Sequence, residues 1–321
     1  MTKNHLENIP SNSISDVERE TGLAKETLRV WERRYGFPQP LRDALGERVY
    51  PADQVQRLRM VKRLIDLGHR PGKVINCSQS QLQELTEVSG AGRSKAQTAT
   101  SQPPARLQEY LDLCGAGRVE DLRRKLSQDL MQLGMLDFVI GLVAPLNVAV
   151  GESWATGRFA VHEEHLYTES LQMVMRSAIS ALPQTTGPAQ CAPRILLTTF
   201  PQERHGLGIL MAEAIFAVQG AQCTSLGVQT PIGDIVEAAK AHQADVVALS
   251  FSSAMNPRQA GDGLKELRQR LPPDCQIWAG GHCPALARRP PKDIRILMLS
   301  EIAAAIAEWR RAKALAFTAP S

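Results

Sequence analysis

What the chain lacks narrows its class first. None of the six cysteines, Cys77, Cys114, Cys191, Cys223, Cys275 and Cys283, form a CxxC pair, and none have zinc-finger spacing. A cysteine-built metal site and a disulfide framework are thereby excluded, leaving reduced, mostly buried thiols. No apolar stretch is expected to reach the ~18–20 residues of a membrane span. The opening MTKNHLENIPSNSIS has no apolar core of the secretory kind. A cytoplasmic location is the expectation. Internal repeats are absent too.

What is present is the composition of a globular protein, 43% hydrophobic and 22% charged, over 321 residues, more than one ordinary domain holds. The net charge of +4 is unevenly spread: Lys25 to Lys73 carries twelve Lys/Arg against six Asp/Glu. Such asymmetry suits a nucleic-acid contact, although a solvated basic face satisfies the same count.

Three patterns follow one another along the chain. Residues 13–87 alternate short amphipathic helices with a proline-punctuated turn. Residues 88–104 are rich in Gly, Ser, Thr, Ala and Pro and too poor in apolar residues to order themselves, which predicts a flexible linker. Residues 105–182 are helical by period, with Leu122, Leu126, Leu130 and Leu133 on one face, and read as a bundle of about four helices. From Arg194 the pattern becomes short apolar runs separated by helices, at 194–200, 222–228, 245–251, 276–280 and 295–300. Strands buried on both faces and alternating with helices predict a doubly wound parallel sheet. The expected fold is multidomain: 1–87 a winged helix-turn-helix, 88–104 a linker, 105–190 a four-helix bundle, and 191–321 an α/β doubly wound, flavodoxin/Rossmann-like domain.

In the first module, Ser13 and Ser15 precede a first helix, Thr21-Gly22-Leu23 forms a turn, and KETLRVWERR follows as a basic helix. Lys25, Arg29 and Arg33 share one face, while Leu28 and Trp31 pack inward. Arg42 and Arg48 flank a glycine-containing loop read as a wing, and Asp53 is a candidate cap for the next helix. TGLAKETLRVWERRYGFPQP, the RVY step and DQVQRLRMVKRLIDLG resemble the winged helix of the MerR family. The resemblance implies double-stranded operator DNA as partner and a DNA interface of Lys25, Thr27, Arg29, Trp31, Arg33, Arg34, Arg42, Arg48 and Tyr50. Two departures stand out. Trp31 occupies a position that is usually Tyr, and the linker occupies the place of the family's long dimerisation helix, so assembly must come from elsewhere.

In the last module, Glu203-x-His205-x-x-Gly208 follows the first strand, where doubly wound folds bind ligands. A loop histidine there can present an imidazole to a metal with a carboxylate to orient it. Ser250-Phe251-Ser252 and Gly280-Gly281 come at intervals that complete a pattern resembling the cobalamin-binding module of methionine synthase and the methylmalonyl-CoA mutase class. That resemblance implies a cobalt corrinoid, His205 as lower axial ligand of cobalt, and a nucleotide tail lined by the Ser and Gly positions. Glu203 replaces the commoner Asp, and Ser252 a Leu.

The bundle carries a third pattern: Trp154, nine residues, then Glu164-His165. With the other two modules in order, it is similar to the CarH/LitR type of cobalamin-dependent photoreceptor repressor. This implies adenosylcobalamin, with Trp154, Glu164 and His165 around its adenosyl group, a tetramer in the dark and smaller species after light. Ala155 stands where light-responsive members often have a His. A light-indifferent sensor of cobalamin or another tetrapyrrole is the alternative. A cobalamin enzyme would need a substrate domain of ~250 residues, for which no chain is left, so no enzyme activity is expected.

Overall fold

A computed structural model describes residues 11–43, 45–66, 69–82, 84–85, 104–183, 193–284, 286 and 292–318. All but Pro104 of the expected linker, and Cys191, lie outside the described residues. Two compact units make up the chain: Met1–Leu111 with Val148–Glu164, and Asp112–Asn147 with His165–Ser321.

The first unit begins with β1 (Ser11–Ser13) and α1 (Ile14–Thr21). Ser13 caps α1 in a reciprocal capping box with Asp16. The helix ends on Gly22, left-handed at φ 71°, which turns the chain into α2 (Lys25–Tyr35). A hairpin of β2 (Leu41–Arg42) and β3 (Arg48–Pro51) pairs Arg42 with Arg48, and β1 adds to its other edge in the order β1-β3-β2. Helices α3 (Ala52–Asp66) and α4 (Pro71–Val74) close the module. Asp53 lies in the first turn of α3. Val17, Leu28, Trp31, Tyr50, Leu58, Val61 and Leu64 form one core. The winged helix-turn-helix is thus built around a single apolar centre, with Arg29, Arg33, Arg34 and Arg42 left outside.

The helical region comprises α5 (Ala105–Gly115), α6 (Val119–Asp137), a π-helical stretch (Phe138–Val143), α7 (Ala144–Ala155) and α8 (Val161–Ser180). Gly134, at φ 72° and ψ 161°, kinks the run within α6. One expectation is corrected here: the continuous run Val119–Ala155 is long and apolar enough to cross a membrane by length and composition. Its apolar residues have a use inside the protein. Leu122, Leu126, Phe138, Val139, Leu142 and Leu146 are buried, and α6 and the π-helical stretch pack on α9 (Leu207–Val218) of the following domain. Gly157, at φ 74°, separates α7 from α8.

The second unit holds a five-stranded, wholly parallel sheet of β4 (Arg194–Thr198), β5 (Gln222–Ser225), β6 (Val246–Phe251), β7 (Gln276–Gly281) and β8 (Arg295–Ile296), in the order β5-β4-β6-β7-β8. Helices α9 and α12 (Ile302–Thr318) pack together, α9 directly against the sheet. Helices α10 (Ile232–Ala241) and α11 (Pro257–Arg270) share a separate core with Leu196, Val247, Leu249 and Ile277. Alternate strand residues serve the two faces, which is why the strands read as continuous apolar runs. Strand order reverses between β4 and β6, and the carboxyl ends of those two strands form the crevice where such sheets take ligands.

Candidate functional site

At that crevice the sheet brings together three residues from two loops. Glu203, three residues beyond Phe200 in the loop that follows β4, is only 1% exposed. One of its carboxylate oxygens, Oε1, accepts from the His205 backbone N–H at 3.0 Å and lies 2.6 Å from His205 Nδ1. The other, Oε2, accepts from the Ser252 N–H at 2.7 Å and from its hydroxyl at 2.8 Å. Burial pushes the Glu203 carboxyl up, but the hydrogen bonds from His205 and Ser252 outweigh it and hold the group below the ordinary carboxylate value. Glu203 is therefore an anion at neutral pH, and it draws the Nδ1 proton of His205. The Nε2 lone pair is then the free one, on a side chain 55% exposed. Thr199 fixes the loop from beneath: its hydroxyl donates to the Glu203 carbonyl at 2.6 Å and accepts from the Gln229 N–H at 2.9 Å.

The glycines of the pattern have partners inside the protein. A Cβ at Gly208 would fall 2.4 Å from Ser250 Oγ, so a side chain there would push that hydroxyl aside. At Gly281, with φ 107°, a Cβ would meet the Phe251 carbonyl oxygen at 2.1 Å, and at Gly280 the Leu297 carbonyl at 2.8 Å. At Gly280 and Gly281 the glycine requirement, expected from the approach of a nucleotide tail, arises already from neighbouring backbone carbonyls.

In the first unit, Arg29, Arg33 and Arg34 are exposed on α2, and Arg42 on the hairpin. Lys25 and Thr27 are partly exposed. Trp31 packs inward as expected, at 6% exposure, because the helix face opposite the arginines must be apolar to hold α2 on the module; its place at the DNA interface, and that of Tyr50, 0% exposed on β3, are corrected, since both belong to the core. Arg48 is tied to Glu32 of α2 at 3.0 Å, bracing the hairpin against the helix. Trp154 is partly buried at the end of α7. Glu164 and His165 lie in the opening turns of α8, Glu164 partly buried and His165 exposed.

Comparison with known proteins decides the family. Residues 13–81 match the MerR HTH family regulatory protein model, and residues 106–178 and 193–318 match two B12 binding domain models. The HTH-type transcriptional repressor CarH of Myxococcus xanthus is 33% identical over 81% of this chain and 85% of its own length. The repressor CarA of the same organism is 30% identical over 81% of this chain and 83% of its own. The regulator MlrA of Escherichia coli matches a shorter stretch, 44% identical over 19% of this chain and 26% of that protein. The chain belongs to the CarH-type, cobalamin-binding MerR regulators.

As a CarH-type regulator it binds DNA and cobalamin, and it is a regulator rather than an enzyme. The residues present fit a corrinoid. Among the described residues no group of three or more His, Cys, Asp or Glu could hold a bare metal ion. Cobalt held by a corrin's own nitrogens asks for one protein donor, and a single imidazole with its outer nitrogen free meets that demand. Two parts of the site escape sequence reasoning. Ser252 donates to Glu203 from both its backbone N–H and its hydroxyl, and Thr199 with Gln229 buttresses the loop. Neither follows a spacing that could have announced it.

Proposed function

We propose that this CarH-type regulator is a repressor whose hold on DNA is set by adenosylcobalamin and, through that cofactor, by light. The observation that carries the reading is the Glu203–His205 pair, a buried anion holding an exposed imidazole with Nε2 free. His205 would serve as lower cobalt ligand, with Glu203 fixing its tautomer and Ser252 fixing Glu203. Ser250, Gly208, Gly280 and Gly281 would keep the groove for the nucleotide tail open. Trp154, with Glu164 and His165, would recognise the adenosyl group. Bound adenosylcobalamin supplies a Co–C bond that green light breaks, and the protein supplies shape and orientation.

The DNA half rests on residues 1–87. Arg29 and Arg33 on α2 would face the major groove and Arg42 or Arg48 the backbone or minor groove, with Lys25, Thr27 and Arg34 beside them. Residues 105–190 and 191–321 would hold the cofactor and assemble the protein, as a tetramer in the dark and smaller species after light. Joining several modules on one operator raises effective concentration.

The experiment is an absorbance spectrum of the purified protein with adenosylcobalamin, before and after green light, with light scattering on the same sample. A spectral change accompanied by loss of the larger species is expected. One observation favours a second reading, a light-indifferent cobalamin or tetrapyrrole sensor: Ala155, not a histidine, follows Trp154, and it is buried at 3% exposure. Unchanged mass after illumination would establish that reading instead.

A further inference from the structure

The DNA-binding module makes contacts beyond its own core. Gln56, Arg59 and Arg63 lie on one face of α3 at i, i+3 and i+7 and reach the end of α7 and the turn after it. Gln56 Nε2 donates to the Thr156 carbonyl at 3.1 Å, across 100 residues of sequence. Arg63 pairs with Glu152 at 3.3 Å. Arg59 sets its guanidinium carbon 5.4 Å from the centroid of the Trp154 ring. The same guanidinium pairs with Glu20 of α1, and the two side chains are only 11% and 15% exposed. The cation is thus anchored within the module and largely desolvated where it meets the indole, the condition under which such contacts are strongest. Gly157 completes the fit: a Cβ there would fall 2.1 Å from Gln56 Nε2.

We propose that the turn bearing Trp154 is a docking surface for helix α3, and that Arg59 and the upper group of a bound cobalamin compete for the Trp154 indole. The competition rests on the reading of Trp154 as the adenosyl contact; the docking rests on the α3 contacts alone. The indole face held under the module's arginine is not free to pack on an adenosyl group, so a ligand that takes that face loosens the module. The coupling is reciprocal: whatever factor adenosylcobalamin costs the docked state, loosening the dock returns to adenosylcobalamin affinity. This gives the upper ligand a direct route to the DNA-reading helices, through one aromatic ring. It uses a part of the cofactor that hydroxocobalamin lacks.

The test uses the full chain with site-specific spin labels at Leu45 and Arg158, both exposed, and reads their distance distribution. Without cofactor, wild type should give one narrow distribution. Glu152→Lys and Arg63→Glu, each reversing one partner of a surface pair, should broaden and lengthen it, and the exchanged double variant should restore it. A distribution unchanged in both single variants overturns the docking, as does a double variant that stays as broad as the singles. In the dark, adenosylcobalamin should broaden the wild-type distribution, and Glu152→Lys should bind adenosylcobalamin ~5-fold or more tightly than wild type, with hydroxocobalamin affinity unchanged. Equal gains for both cobalamins, or none, overturn the competition. If wild type shows no preference for the adenosyl form at all, the adenosyl reading of Trp154 fails, and the cofactor-free measurement still decides the docking.

Discussion

Glu203 Oε1 lies 2.6 Å from His205 Nδ1, and the carboxylate that makes this contact is buried while the imidazole is not. The orienting group is shielded and the donor group is presented, so the two side chains have separable effects on cobalt. His205→Ala should lose cobalamin outright, or hold it without the absorbance signature of histidine ligation. Glu203→Gln keeps the shape but removes the charge that polarises the ring, and should weaken binding by ~10–100-fold. Equilibrium dialysis with spectra of each variant checks both. A His205→Ala protein with the wild-type spectrum would falsify the assignment.

Gly281 tests the backbone packing independently of any ligand. Gly281→Ala forces a side chain against the Phe251 carbonyl at a φ of 107°, and should cost ~2–4 kcal/mol of stability from steric strain and overpacking. Urea unfolding followed by circular dichroism measures it. An unaltered midpoint would mean the glycine answers to the ligand and not to the strand beside it.

On the DNA side, two neighbouring residues of α2 should fail differently. Arg29→Ala should leave the fold intact and weaken operator binding by ~1–3 kcal/mol. Trp31→Ala should instead destabilise the module by ~3–5 kcal/mol through the cavity it leaves, losing DNA binding only as helical signal is lost. Gel shifts paired with thermal melts separate the two. The distinction collapses if Trp31→Ala melts like wild type while binding poorly.

Two thiols report on the doubly wound domain. Burial pushes Cys223 up to about 12 and Cys275 up to about 11. Thiolate is the reactive form, so at pH 8 both should alkylate far more slowly in native than in denatured protein. Because the shift is upward, labelling of the native protein should rise only as pH approaches those values. Mass spectrometry after timed iodoacetamide treatment, over a pH series, reads each site. Rapid native labelling at pH 8 would contradict the burial.

The sequence by itself determined the kinds of module and their order. Periodicity is a local property: a basic helix after a glycine turn, leucines at helical spacing, and apolar runs between helices each state their fold without reference to distant residues. The spacing from Glu203 to Gly281 announced a shared crevice for a related reason, since a doubly wound sheet brings successive strand ends together whatever lies between. Burial and pairing were decided only in three dimensions. Tyr50 reads as a DNA contact at the end of the wing, yet it is fully buried in the module's core. The pairing of Arg48 with Glu32 of α2 has no signature in the sequence. Gly280 and Gly281 read as room for a ligand, and only the fold shows that the Leu297 and Phe251 carbonyls require glycine there as well. The contact of Arg59 with Trp154 has no sequence signature, because a cation and an indole so far apart along the chain are joined only by how the helices pack. Spacing along a chain encodes what a regular backbone will repeat; which side of each residue faces another is set by packing between elements.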